Sequence, residues 1–138
     1  MNDQAVIEQL NARLPGFIPM LGGKIVAIDR EERNCTFEFA IGTDFCHSID
    51  VVQGGFITSM LDAAMSHAVF ATAQDIVNVS TLQINTSYLE VTRAGRLRAV
   101  GNVVKSSYKT AFLEGRLYNE DGLLVATTSA TAKLSRKS

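Results

Sequence analysis

The sequence predicts an α+β domain in which one antiparallel sheet curves around a single long helix. Three observations carry that expectation. The stretch from Gln53 to Phe70 is apolar on almost every face, with Phe56, Ile57, Met60, Leu61, Met65 and Val69 among its residues, and such a helix has to be wrapped by other structure. Four strand-like runs follow it, separated by turn signals and without a further helical period. Two more strand-like runs precede it. This segregated order belongs to α+β packing rather than to alternating βαβ units.

Taken in order, Asn2 or Asp3 can cap a first helix within residues 1–14, which carries Val6, Leu10 and Leu14 one turn apart and ends at Pro15-Gly16. Residues 15–23 then read as a loop. Its Phe17, Ile18, Met20 and Leu21 are too apolar for a solvated linker and are expected to line a groove. Residues 24–30 and 35–41 read as two strands joined by the turn Glu31-Glu32-Arg33-Asn34, and the second sets Cys35, Phe37, Phe39 and Ile41 on one face. Residues 42–52 form a loop that carries His47, and the central helix spans 53–71. The later strands occupy 77–89, 96–105, 110–118 and 123–134, with tight connections at 106–109 and 119–122. By strict alternation Ser80, Leu82, Ile84, Thr86 and Tyr88 share one face of the first of these, the face expected to meet the helix.

A chain of 138 residues that is 46% hydrophobic supports one domain, 1–138, with a real core. The formal net charge of −1 offers no basic field for a nucleic-acid partner. The first residues lack a basic segment followed by an apolar one, and the central helix is too short and too polar to span a bilayer, so a soluble, cytoplasmic protein without membrane association is expected. Cys35 and Cys46 have no metal-ligand spacing with His47 and His67 and read as reduced thiols, so no metal site is expected.

The residues that could carry chemistry cluster on the central helix. Asp62 sits in its middle, where a carboxylate must find donors or remain costly to bury. Thr58, Asp62 and Ser66 form a narrow polar stripe at helical spacing. Gly54 and Gly55 open the helix, and the free N–H groups of a first turn can receive an oxyanion. An oxyanion-holding terminus followed two to three turns later by a carboxylate supplies two of the parts that acyl transfer needs. On the residues alone, a carboxylate merely held by hydroxyls stays open, as does a plain Gly-Gly turn. His67 lies five residues after Asp62, about 140° round the helix, so the two form no dyad. Ser80 has no Gly-x-Ser-x-Gly elbow around it.

The pattern Val51-Val52-Gln53-Gly54-Gly55, then Leu61-Asp62, then Ser80 on the next strand resembles the hotdog-fold acyl-CoA thioesterases of the phenylacetate-pathway and 4-hydroxybenzoyl-CoA type. The resemblance covers roughly residues 35–134 and rests on a Val-[His/Gln]-Gly-Gly start, an acidic residue nine positions after the Gln, and a Ser or Thr on the following strand. It implies hydrolysis of an acyl-CoA thioester without a cofactor. Asp62 would be nucleophile or general base, the Gly54 N–H would polarise the carbonyl, and Ser80 would orient water or carboxylate. It also implies a homodimer or homotetramer, with sites at the dimer interface that combine Gly54 of one protomer with Asp62 and Ser80 of the other. His47 stands six positions before Gln53, where the family usually has Asn or Gln, and would supply the amide's N–H. Gln53, Gly55, Phe56, Met60, Ile57 and the 15–21 loop are expected to line the substrate pocket. Arg93, Arg96, Lys105 and Lys109 are the expected partners of the CoA phosphates. Two alternatives use the same residues: an enoyl-thioester hydratase or dehydratase in which His47 works with Asp62, and an acyl-CoA binder without catalysis.

Overall fold

The computed structural model describes residues 2–138, so Met1, which falls in the span expected for the first helix, lies outside the described residues. Asn2 caps α1 (Asp3–Asn11) by accepting a hydrogen bond from the Ala5 N–H at 2.8 Å. The helix stops earlier than the apolar spacing through Leu14 suggests. Asn11 instead turns its amide onto the next element and exchanges two hydrogen bonds with the Ile25 backbone, at 3.0 and 2.9 Å. A short helix α2 (Phe17–Met20) replaces the expected loop, and its apolar residues divide: Ile18 and the adjoining Leu21 enter the core while Phe17 and Met20 stay exposed.

The first hairpin joins β1 (Gly23–Asp29) to β2 (Asn34–Ile41). The segment expected to be a loop before the central helix holds a 3₁₀ turn at Thr43–Phe45 and a small hairpin of β3 (Cys46–Ser48) and β4 (Val51–Val52). The central helix α3 runs Gly54–Thr72. It is followed by β5 (Ile76–Tyr88), β6 (Gly95–Ser106), β7 (Thr110–Tyr118) and β8 (Leu124–Arg136). Six strands make one antiparallel sheet in the order β1-β2-β6-β7-β8-β5. The chain therefore leaves the sheet after β2, lays α3 across it, and re-enters at the opposite edge with β5.

The helix lies on the sheet and meets β6, β2, β5 and β7. Phe37 and Phe39 stack with ring centroids 5.5 Å apart and, with Met60, Leu61, Met65 and Leu117, form the fully buried centre. Each such side chain contributes about 1.5–3 kcal/mol through burial. Gly101 on β6 sets the helix-to-sheet distance: a Cβ there would sit 2.2 Å from the backbone carbonyl carbon of Ala64. Edge strand β1 is covered by α1. At the other edge β5 pairs with β8 alone, so its outer backbone groups form an open edge of 13 residues. No helix among the described residues is long and apolar enough to cross a membrane.

The alternation expected for β5 fails at one point. Its register against β8 shifts between Thr81 and Gln83, a β-bulge at Leu82. Before the bulge Val79 and Thr81 are half-buried, whereas after it Ile84 and Thr86 are, and Leu82 is 65% exposed. The extra residue exchanges the faces, so Ser80 does not share the helix-facing side with Thr86.

Candidate functional site

The polar stripe of α3 is half-buried at Thr58, Asp62 and Ser66, between apolar rows that are fully covered. Thr81 crosses from β5 and donates its hydroxyl to Asp62 Oδ1 at 2.8 Å. Asp62 Oδ2 has no hydrogen-bond partner among the described residues. Ser80, the residue expected to do this, is exposed on the opposite face and accepts from Asn78 Nδ2 at 3.0 Å. The bulge is the physical reason for the correction. Thr81 was missed because alternation counted from the far end of the strand puts it outside.

The N-terminus of α3 carries the second feature. Gln53 is the N-cap residue, and its Oε1 accepts from the Gly55 N–H at 2.7 Å. The Phe56 and Ile57 N–H groups bond to the Gln53 carbonyl. The Gly54 N–H has no partner among the described residues and is the free donor of the first turn. The Gly55 N–H and the Gln53 Oε1 are thus taken by each other, while Gln53 Nε2 keeps its donors without a partner among the described residues.

Gly54 is held from its carbonyl side. Tyr88 donates its hydroxyl to the Gly54 carbonyl at 2.8 Å, its oxygen lies 2.8 Å from Thr58 Oγ1, and Thr58 Oγ1 lies 2.8 Å from Thr86 Oγ1. With the Tyr88 proton committed, the chain runs one way, Thr86 to Thr58 to Tyr88 to Gly54. A Cβ on Gly54 would come within 3.0 Å of the Tyr88 ring.

Beside this terminus lies a groove of about 470 Å³ lined by His47, Val52, Gly54, Ile57, Tyr88 and Thr92, among others. His47 is exposed on β3, with Nδ1 3.2 Å from the Ser48 hydroxyl. When that hydroxyl donates, the Nε2–H is free as a donor to the groove. The Thr92 hydroxyl is sealed in the wall and has no hydrogen-bond partner among the described residues.

The other expected pocket residues divide. Ile57 lines the groove. Phe56 turns its ring onto Phe45, edge to face at 5.0 Å, so it fixes the loop before the helix. Met60 is 0% exposed and belongs to the core, which corrects its assignment to the pocket wall. Arg93 and Arg96 are at the Gly54 end of the sheet but pair with Asp50 (2.6 Å) and Glu38 (3.3 Å). Lys105 and Lys109 flank the β6–β7 hairpin at the other end and make no ion pair among the described residues. One protomer does not gather these four cations.

His67 is buried, with Nδ1 donating to the Ala63 carbonyl at 2.8 Å and its ring packed edge-on to Phe37 and Phe70. Burial holds its pKa below the ordinary histidine value. Cys35 is buried and its thiol is pushed up to about 12 by burial, so it is unreactive. Cys46 is half-buried and also free. No group of three His, Cys, Asp or Glu side chains able to hold a metal occurs among the described residues.

Residues 50–126 match the model of the thioesterase superfamily. A phenylacetic acid degradation-related protein of Ralstonia eutropha JMP134 superimposes with a TM-score of 0.84 at 32% identity, over 96% of this chain and 99% of that one. An uncharacterized Schizosaccharomyces pombe protein, C26H8.11c, is 32% identical over 89 residues, which are 64% of this chain and 47% of that protein; the match thus spans about half of that relative's length. A hypothetical thioesterase of Streptococcus pneumoniae TIGR4, solved with coenzyme A, shares the fold at a TM-score of 0.74 and 16% identity, over 83% of this chain and 87% of that one.

Proposed function

The chain belongs to the thioesterase superfamily, with the hotdog fold, and from that premise we propose that it hydrolyses an acyl-CoA thioester to a carboxylic acid and CoA. The observation that carries this reading is the Asp62 carboxylate on the open stripe of α3, held at one oxygen by Thr81 and free at the other. The free Gly54 N–H supplies the complementary part. Eight residues of helix separate the two, about 12 Å along the axis, too far to act on one carbonyl. Two protomers joined along the open β5 edge resolve that distance by presenting Gly54 of one opposite Asp62 and Thr81 of the other. The site is therefore that of a homodimer, alone or within a tetramer.

In such a site the Gly54 N–H and the His47 Nε2–H donate to the thioester oxygen and stabilise the charge that grows on it. As general base, Asp62 takes a proton from water, whose oxygen adds to the carbonyl carbon. The tetrahedral intermediate then expels the CoA thiolate, which is protonated to the thiol. As nucleophile, Asp62 would form a mixed anhydride that water opens. Single turnover in ¹⁸O-water detects the second route when water opens the anhydride at the Asp62 carbon, because label then enters Asp62; label in the released acid alone fits direct attack by water or opening at the acyl carbon. The coenzyme A bound to the pneumococcal fold relative supports a CoA thioester as substrate.

A panel of acyl-CoAs of different chain length, with and without aromatic groups and including 2-enoyl-CoAs, tests the activity. Release of free thiol is the expected result. Loss of enoyl absorbance without thiol would instead establish the hydratase reading, and binding with neither would establish a non-catalytic binder.

A further inference from the structure

A second cavity of about 580 Å³ lies between α1 and the C-terminal half of α3, and the proposed hydrolysis does not use it. Its floor is buried and apolar, made by Val6, Ala71 and Ile76, with Leu10 and Phe70 half-buried on the walls. The one polar group in that floor is the His67 ring, 6% exposed. Its Nδ1 faces a carbonyl, which can only accept, so Nδ1 carries the proton and the neutral ring presents Nε2 as an acceptor. Burial keeps the ring neutral. Nε2 has no partner among the described residues. It is also not sealed, because Thr92 Oγ1 is the only sealed side-chain polar atom without a partner among them. An acceptor open to a cavity is satisfied by whatever donor enters, water or a ligand hydroxyl, and it favours a ligand that brings a donor over one that ends in hydrocarbon.

The rim adds a second kind of signal. Arg13 and Lys137 stand exposed at the mouth with Gln9 and Gln74, and neither cation makes an ion pair within 4 Å among the described residues; the Asp75 carboxylate, paired with Arg136, is near enough to Lys137 to feel its charge but does not line the cavity. Cationic rim, apolar walls and one acceptor at the bottom define a ligand by complementarity. We infer that this cavity binds a small carboxylic acid with an apolar body and a hydroxyl at its far end, the carboxylate at Arg13 and Lys137 and the hydroxyl donating to His67 Nε2. This goes beyond the hydrolysis reading and stands without it, because binding is read in the absence of turnover.

The test uses the intact chain and titrates straight-chain acids from hexanoate to decanoate, their ω-hydroxy counterparts, and decanol. Binding is followed by calorimetry and by NMR of the His67 ring nitrogens and of the Val6, Ala71 and Ile76 methyl groups. The ω-hydroxy acid of best length is expected to bind roughly fivefold more tightly than its plain counterpart and to shift the His67 Nε2 resonance. Arg13→Ala with Lys137→Ala, both at exposed positions, is expected to weaken acid binding about fivefold while thiol release from acyl-CoA is unchanged. His67→Phe removes the preference for the hydroxyl. The inference is overturned if the acids move only resonances at Gly54 and Ile57, if they move none, or if decanol binds as well as decanoate. It is equally overturned if the rim variant binds like wild type, an outcome that does not depend on whether His67→Phe folds.

Discussion

Thr81→Val is the substitution that most directly tests the geometry around Asp62. Valine keeps the β-branched shape and removes only the hydroxyl, so packing on β5 is preserved and the single loss is the 2.8 Å bond to Asp62 Oδ1. A hydrogen bond to a charged partner contributes about 1.5–3 kcal/mol. If the carboxylate must be held in one orientation to act, that amount appears in the barrier and lowers kcat by roughly 10- to 150-fold at about 1.4 kcal/mol per decade. Ser80→Ala is the internal control. Its hydroxyl contacts Asn78 on the far side of the strand, so hydrolysis should stay within about twofold of wild type, as for surface changes generally. Both are measured by continuous thiol release on the best acyl-CoA, with Thr81→Ser included because it restores a donor. A merely structural role for Thr81 would leave Thr81→Ser no better than Thr81→Val. Equal activity of Thr81→Val and wild type, or a Ser80→Ala loss matching that of Thr81→Val, would refute the reasoning.

Four further outcomes follow from the same structure. Gly54→Pro removes the free N–H at a first-turn position whose backbone suits proline, after a Gln53 already extended at φ −67° and ψ 137°, but its ring carbons press on Tyr88 as any Cβ there would; measured against Gly54→Ala, which adds the same Cβ and keeps the N–H, it should cost on the order of 10²–10³ in kcat, and mixing it with inactive Asp62→Asn should regain activity if the site is shared between protomers, whereas no recovery after subunit exchange would place both parts within one chain. His47→Asn should hydrolyse as well as wild type because an amide also donates, and its inactivity would turn the assignment to the proton-transferring role of the hydratase reading. Gly101→Ala should lower stability by about 2 kcal/mol or more, as overpacking against a backbone does, since its Cβ would meet the Ala64 carbonyl; a melting temperature like wild type would contradict the close helix approach. The lowered pKa of His67 means that the folded state binds its proton less readily than the unfolded state, so stability present above about pH 6.5 should fall as pH drops below it, and His67→Phe should flatten that part of the profile; an unchanged slope in the variant would show that other groups set it.

Much of the architecture was legible in the chain itself, because it is written in periodicities that a local reading can detect. The apolar stretch that became Gly54–Thr72, the six long strands and the hairpin turns repeat at 3.6 or 2 residues over spans long enough to stand out. Asp62 and Gly54 were legible too, as a charge inside an apolar helix and as a glycine at its start. The elements that went unseen are short: α2 has four residues and the strands β3 and β4 three and two, too few for any period to declare itself. The site's second side chain was lost for a different reason. Whether Ser80 or Thr81 faces Asp62 depends on a bulge at Leu82, and a bulge is a property of the pairing between β5 and β8 rather than of β5 alone. Likewise nothing in the chain shows that Gln53 lends its Oε1 to the helix terminus as a cap, and Met60 reads as a pocket residue until the sheet closes over it. Sequence thus determined which residue types were present and on which elements. The tertiary structure alone decided which polar groups would find one another and which, at Gly54, Asp62 Oδ2 and His67 Nε2, would be left free, because hydrogen-bond partners are allotted only when strands pair and the helix docks.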